Sequence, residues 1–303
     1  VEILRLGIYQ IIYMDKVPES AAVNESVKLA KKLTRGLSGF VNAILRSVIR
    51  EQDSIGIEDL AANDIEAISF IYNIPLWLIN LWISEFGRDK TEDLCAWFNE
   101  QPKLTARINT ILIDIPQCLT MLNEQGWAVT QDSNYEDIIY INSHRGSLEK
   151  SEAFIKGYIT FMDKASMLVA RLVNPQPGER ILDCCAAPGG KSMYMATLMD
   201  NVGSLMSCDI HEHKIELMNS NAERLGASIV HTKVQDATKL PDSWNSYFDR
   251  VLVDAPCSGL GILQKKLDMR WRKQESILSE LPPLQLAILE RAAMTVKEKG
   301  YLI

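Results

Sequence analysis

Histidine is scarce in this chain, cysteine lacks any ligand-like spacing, and no apolar run is long. There are four histidines in 303 residues, and two of them, His211 and His213, sit at a helix start. The six cysteines form no Cys-x-x-Cys pair and no zinc-type spacing, so the sequence predicts no metal centre. Cys95, Cys118, Cys184 and Cys208 read instead as small buried apolar side chains. The sequence has neither a secretory leader nor the stretch of about 20 apolar residues that crosses a bilayer. A cytoplasmic protein without membrane contact is expected. Internal repeats and low-complexity tracts are also missing, and the length suits two or three domains with ample core.

The charge is unevenly placed. The net formal charge is −7, whereas nucleic-acid binders are usually basic. The deficit is local: residues 51–100 hold eleven acids and two bases, the pattern of solvated faces on connecting helices. Two basic clusters stand apart. One is Lys28, Lys31, Lys32, Arg35, Arg46 and Arg50, in an N-terminal helical segment. The other is Lys265, Lys266, Arg270, Arg272 and Lys273, with Trp271 among them. Cations of this kind neutralise phosphates and a neighbouring aromatic stacks a base; the alternative is ordinary surface charge around a core tryptophan.

Two stretches carry chemistry. Arg250-Val-Leu-Val reads as a buried parallel strand, and Asp254-Ala-Pro-Cys-Ser-Gly-Leu-Gly261 follows it. This places a thiol, Cys257, beside a carboxylate, Asp254, where open α/β sheets bind ligands. Alone, the stretch is equally a tight turn holding a structural cysteine. A second segment, Arg180-Ile-Leu-Asp-Cys-Cys-Ala-Ala-Pro-Gly-Gly-Lys-Ser192, reads as strand, small-residue loop and helix start. Gly189 and Gly190 permit close backbone approach, and a helix start presents free N–H groups. Pro-Gly-Gly-Lys matches neither the P-loop nor the dinucleotide fingerprint, so a nucleoside ligand without pyrophosphate fits better. The next strand ends at Asp209, about twenty residues on, where a carboxylate accepts from ribose hydroxyls. Asp236 ends a further strand and is placed to meet an adenine edge. Acids at successive strand ends thus form a nucleoside-binding rim, which Asp254 extends.

The remaining pattern organises the chain. Residues 1–50 read as amphipathic helices, with a Gly-Leu-Ser-Gly loop at 36–39. A helical stretch follows to about residue 100, and Lys103 to Leu148 mixes short strands with a helix over Ile115–Gln125. After the turn-rich Asn174-Pro-Gln-Pro-Gly178, strands alternate with helices, which signifies a parallel sheet.

Cys-Ala-Ala-Pro-Gly-Gly-Lys together with Asp-Ala-Pro-Cys-Ser-Gly-x-Gly resembles the S-adenosylmethionine-dependent RNA cytosine-5 methyltransferases. Gly157-Tyr-Ile-Thr-Phe-Met-Asp-Lys-Ala-Ser166 is similar to the segment leading into that family's catalytic domain. Lys103-Leu-Thr-Ala-Arg-Ile-Asn-Thr110 resembles a strand of its RNA-contacting subdomain. Leu4-Arg-Leu-Gly-Ile-Tyr-Gln, Val17-Pro-Glu-Ser-Ala-Ala-Val-Asn-Glu25 and Gly39-Phe-Val-Asn-Ala-Ile-Leu-Arg46 resemble the NusB-type helical domain of the bacterial RsmB/Sun branch. The resemblance implies a partial NusB-type domain at 1–52, then a helical connector with an α+β RNA-contacting subdomain at 53–155. A Rossmann-like methyltransferase domain at 156–303 would follow, a parallel sheet with helices on both faces. It implies S-adenosylmethionine held by Cys185, Ala186, Ala187, Pro188, Gly189, Gly190, Lys191, Asp209, Asp236 and Asp254. Small-subunit ribosomal RNA would be the partner of a monomeric enzyme, contacted by Lys265, Lys266, Arg270, Arg272 and Lys273.

The implied chemistry explains the residue types. Cytosine C5 becomes nucleophilic only after a thiolate adds to C6. A carboxylate such as Asp254 then holds the N3 and amine edge. In the RNA enzymes the attacking cysteine lies in a Thr-Cys motif after the next strand, here expected beyond Ile303, and the Pro-Cys cysteine, Cys257, assists product release. The DNA enzymes attack with the Pro-Cys cysteine. Because the chain opens at Val1 inside NusB-type sequence and closes before any Thr-Cys, a fragment that binds cofactor but turns over poorly is expected. A DNA cytosine-5 methyltransferase and a non-catalytic RNA-binding relative are the competing readings; a nicotinamide oxidoreductase would lack its glycine fingerprint.

Overall fold

The computed structural model describes residues 1–34, 36–52 and 65–303. They form two compact units, Val1–Phe86 and Gly87–Ile303. The division falls after Phe86, inside the helical stretch that the sequence extends to about residue 100.

The first unit is helical: α1 (Glu2–Tyr13), α2 (Glu19–Leu33), α3 (Ser38–Glu51), α4 (Ile65–Tyr72) and α5 (Leu76–Phe86). Apolar residues at helical spacing meet in a core of Ile11, Ala22, Val23, Ala30, Val41 and Leu45. Gly7 lets α1 approach closely, since a Cβ there would sit 2.8 Å from Leu45 and Ser26 side chains. Among the described residues, no single helix is long and apolar enough to cross a membrane.

The second unit opens with α6 (Arg88–Asn99) and builds a four-stranded sheet from β1 (Leu104–Ile108), β2 (Ala128–Gln131), β3 (Ile138–Ser143) and β4 (Ile159–Phe161). The order is β2-β3-β1-β4, with antiparallel pairing throughout. Helix α7 (Ile115–Glu124) connects β1 to β2, and α8 (Glu152–Ile155) connects β3 to β4, giving the βαββαβ succession of a ferredoxin-like fold. Asp114 caps α7 by accepting from Gln117 N at 2.8 Å, with Pro116 in the first turn. Alternation assigns the two faces: Ala106, Ile108, Ile139 and Ile141 pack on Cys118 and Leu122 of α7, while Thr105, Arg107, Ile138 and Tyr140 point the other way. Because β4 pairs with β1 through Ala106 and Phe161, this subdomain runs past residue 155, the boundary expected from the sequence. Ile159–Phe161 belongs to it and not to the domain that follows.

From α9 (Lys164–Val173) onward the chain is doubly wound: β5 (Arg180–Asp183), α10 (Gly190–Leu198), β6 (Ser204–Asp209), α11 (Glu212–Leu225), β7 (Val230–Val234), β8 (Phe248–Leu252), α12 (Met269–Arg272), α13 (Ile277–Ala293) and β9 (Val296–Leu302). The five strands are parallel in the order β7-β6-β5-β8-β9. Ile181 faces a core with Met193, Tyr194 and Leu205; its neighbour Leu182 faces the opposite core with Val251 and Ile288 of α13. The central strands β5 and β8, with most of β6, are buried on both faces and read as apolar runs, whereas the outer strands β7 and β9 are largely exposed. The order reverses between β5 and β8, the place where such sheets open a ligand crevice.

The two sheets are locked together by buried polar groups. Arg107 is fully buried, donates to Thr197 Oγ1 at 3.1 Å and lies 5.1 Å over the Tyr194 ring. Burial pulls its pKa down to about 10, which leaves it charged at neutral pH. Tyr194 OH donates to Asp137 Oδ2 at 2.6 Å, and Arg171 pairs with Asp137 Oδ1. Two residues along, Asn109 donates to Gly157 O at 3.0 Å and Leu225 O at 2.9 Å. The Arg-Ile-Asn-Thr stretch therefore turns its Arg and Asn inward as a latch. Gly157 has φ +72°, and a Cβ there would lie 2.0 Å from Arg224 O, so only glycine fits.

Asn109→Leu would orphan two buried carbonyls, each costing about 1–3 kcal/mol. Its urea midpoint should fall by an amount equivalent to about 3 kcal/mol; an unchanged midpoint would remove the latch from the account.

Candidate active site

The two motifs leave the sheet at its reversal point. The Cys184–Lys191 loop continues β5 and is held from both sides: Cys184 N donates to Leu252 O at 3.0 Å, and Ala186 N to Cys208 O at 2.7 Å. Ala186 and Ala187 pack against Ile215 and Met218 of α11, and Pro188 O accepts from Asn221 at 3.5 Å. Gly189 turns at φ +97°, where a Cβ would press on Met218 at 3.1 Å and Met193 at 3.3 Å. Helix α10 starts at Gly190. Its second residue, Lys191, reaches across to the neighbouring loop and pairs with Asp254 Oδ2 at 2.5 Å. An ion pair thus ties the Pro-Gly-Gly-Lys motif to the Asp-Ala-Pro-Cys motif, a link that 63 residues of separation hid from the sequence reading.

A cleft of about 140 Å³ is lined by Cys185, Asp209, Lys214, Asp236 and Pro256 among others; of the expected cofactor residues, Ala186 to Lys191 and Asp254 are not in its wall. Asp209 Oδ1 accepts from His211 N at 3.0 Å and faces Lys214 at 3.5 Å. Asp236 Oδ1 accepts from Thr238 N and Oγ1 at 2.9 and 2.7 Å, and these bonds hold its carboxyl below the usual range. Ile210, Ala237, Leu284 and Ile288 make the remaining wall apolar. Two carboxylates facing an apolar slot suit a ligand with hydroxyls and a flat ring; one lysine and no cluster of cations argues against a polyphosphate. Of the wall, His211, Lys214, Gln235 and the α13 residues were not assigned to the site from the sequence. Gln235 is adjacent to an expected site residue, but α13 arrives from some fifty residues further on and had no local signal. Among the described residues there is no group of three metal-ligating side chains.

The cysteines separate by environment. Cys257 is exposed, while Cys95, Cys118, Cys184 and Cys208 are buried, as expected from composition. Cys185 lines the cleft, yet burial, helped by Asp183, Asp209 and Asp254, pushes its thiol up to about 12. It is a neutral thiol at physiological pH and unsuited to attack. Gln285 donates to Pro256 O at 2.9 Å and steadies the loop that carries Cys257.

The basic segment behind Cys257 divides. Lys265 and Lys266 are exposed, and Lys265 pairs with Asp163 at 2.8 Å. Arg272 is exposed and faces Asp268 at 3.5 Å, and Lys273 is half-buried. Arg270 departs from the expected surface role. It is 2% exposed, donates to Phe98 O at 2.6 Å and Asn99 Oδ1 at 2.8 Å, and so caps the C-terminal end of α6. Trp271 is exposed. Of the N-terminal cluster, Lys28, Lys31, Lys32, Arg46 and Arg50 lie on α2 and α3; Arg35 is outside the described residues.

Asp183, at the end of β5, was legible only as a strand terminus. It is fully buried, accepts from Ser192 Oγ at 2.7 Å, and burial raises its pKa from the ordinary 3.8 to about 6. Folding therefore favours the protonated form. That contribution is complete below about pH 3.8 and is lost as pH rises through about 6. Asp183→Asn cannot titrate. Relative to the variant, the wild type should lose about 2 kcal/mol between pH 4 and 7, read from urea midpoints; a gap that does not vary with pH would refute the shift.

With this geometry in place, the chain can be set beside known proteins. A family model described as "16S rRNA methyltransferase RsmB/F" matches residues 170–303, the NusB family matches 1–50, and "Methyltr_RsmF/B-like, ferredoxin-like domain" matches 74–146. "Probable ribosomal RNA small subunit methyltransferase B" of Bacillus subtilis is 37% identical over 305 residues, covering 100% of this chain and 67% of that protein. The protein of the same description from Synechocystis is 37% identical over 311 residues, covering 99% and 68%. The crystal structure of PH0851 superposes with a TM-score of 0.83 at 27% identity, covering 99% of this chain and 67% of that one. At this identity and coverage, on a fold whose two motifs meet at one ion pair, the chain belongs to the ribosomal RNA small subunit methyltransferase B family.

Proposed function

We propose that this chain transfers a methyl group from S-adenosylmethionine to C5 of a cytosine in small-subunit ribosomal RNA, acting as a cytoplasmic monomer. The observation that carries the reading is the Lys191–Asp254 pair at 2.5 Å, which joins the glycine loop to the loop that carries the exposed Cys257. The relatives' printed descriptions name the same RNA class.

When bound, S-adenosylmethionine supplies an electrophilic methyl group. Asp209 would accept from its ribose hydroxyls and Asp236 from its adenine edge, and the glycines at 189 and 190 would let the backbone come close. Asp254 would accept a hydrogen bond from the exocyclic amine of the cytosine. Lys191 orients that carboxylate through their ion pair. A cysteine thiolate would form a bond to C6, and the C6=C5 electron pair would then attack the methyl carbon as its bond to the sulfonium sulfur breaks, leaving the cofactor as a neutral thioether. A base then removes the C5 proton and the C6–S bond breaks, restoring the thiol. Cys257 assists that last elimination, and the attacking thiolate belongs to the Thr-Cys motif that the resemblance places after β9. Lys265 and Lys266, with Arg272 and Lys273, neutralise RNA phosphates beside the site.

The test is transfer of labelled methyl from S-adenosylmethionine to small-subunit RNA by the protein as its gene encodes it. Cys257→Ala should accumulate a covalent RNA–protein adduct; loss of the adduct would instead make Cys257 the nucleophile. Lys265→Glu with Lys266→Glu should raise the RNA KM about tenfold at low salt, by removing two phosphate contacts. An unchanged KM would count against the patch.

A further inference from the structure

The face of the four-stranded sheet opposite α7 is used twice. Its lower half, with Arg107 and Ile138, is buried against α9 and α10. Its upper half is open. Tyr140 stands there half-buried on β3, with Lys103 5.8 Å and Lys164 5.7 Å from its ring centre. Its hydroxyl donates to Asp132 Oδ2 at 2.8 Å and accepts from Lys164 at 3.1 Å, so the ring is fixed in place. Two hollows meet at this ring. One, of about 500 Å³, extends along the sheet over Leu104, Thr130 and Asn142. The other, of about 310 Å³, shares Gln101, Lys103 and Tyr140 with the first and runs to Trp97, Gln264 and Lys265.

The second hollow ends at the segment that carries the reactive loop. Gly261, in its wall, is four residues after Cys257, at most about 14 Å of extended chain. A continuous trough therefore leads from the sheet face toward the candidate active site. Its lining alternates aromatic surface (Tyr140, and Trp97 at 47% exposure) with ammonium groups. Glu100 and Asp163 also line the trough, and Asp163 holds Lys265; Lys103, exposed on a flexible stem, is the cation best able to swing from a ring to a phosphate. Rigid aromatic faces and mobile cations on an open sheet suit unpaired bases, which expose a stacking face that a duplex conceals.

We propose that this trough binds the single-stranded nucleotides flanking the target base, with one base stacked on Tyr140 and its phosphate taken by Lys103. The proposal deepens the methyl-transfer reading and rests on it for the identity of the nucleic acid as RNA. Single-strand binding here means that the enzyme takes its site in an unpaired state, before or apart from helix formation at that position.

The test is fluorescence anisotropy with a labelled unpaired oligoribonucleotide and the same strand annealed to its complement. Wild type is compared with Tyr140→Leu, Tyr140→Phe and Lys103→Glu, with S-adenosylmethionine affinity and RNA KM and kcat in parallel. Tyr140→Leu and Lys103→Glu should each weaken the unpaired strand about tenfold and raise the RNA KM. Tyr140→Phe should bind like wild type, and cofactor affinity should be unmoved in all. A wild type that prefers the duplex, or variants that bind the unpaired strand as wild type does while methylating small-subunit RNA, overturn the trough and leave the methyl-transfer reading intact. A wild type that binds with the Tyr140 dependence but transfers no methyl group keeps the trough and sinks the methyl-transfer reading.

Discussion

Helix α10 is nine residues long, and the organisation of the second unit depends on how it is pinned. Its first residues follow the glycine turn and send Lys191 to Asp254. Its later residues, Tyr194 and Thr197, hold Asp137, just before β3, and Arg107 of β1. Ser192 holds the buried Asp183 at the end of β5. One short helix therefore carries the cofactor loop, the carboxylate partner and the joint to the neighbouring sheet. Moving any of these without the others would leave a buried charge or hydroxyl unpaired, at a cost of several kcal/mol.

This arrangement explains why polar groups are tolerated so deep. Arg107 keeps its charge in the interior because aromatic surface, a hydroxyl and the Asp137 field surround it. Such a cluster contributes little net stability, because desolvation offsets most of the attraction. What it provides is a specific seating of the one sheet on the other, since each buried polar group must meet its partner. The same logic places Arg270 on the last carbonyls of α6. A cation next to the reactive loop serves to attach that loop to the helix behind it.

Much of the fold was readable in order along the chain. Apolar runs ending in Asp183, Asp209 and Val253-Asp254, separated by helical stretches, specify a parallel sheet, because only strands buried on both faces lose their alternation. The four-stranded subdomain was legible as α+β but not in extent. Ile159–Phe161 is three residues long, too short to show a period, and only its pairing with β1 assigns it. Arg270 was misplaced for a related reason. In the sequence it is one of five neighbouring cations, and nothing local distinguishes the one whose guanidinium turns inward.

By itself the sequence determined the chemistry of the site: which loops carry a thiol, carboxylates and glycines, and that they follow strand ends. Those features are local, since turn geometry and strand burial depend on neighbours a few residues apart. Only the tertiary structure decided which of these groups meet. Lys191 and Asp254, Arg107 and Tyr194, and Arg270 and the end of α6 are joined across 63, 87 and 172 residues respectively. Contacts at such separation are set by how two sheets and one helix pack, and no short pattern along the chain records that.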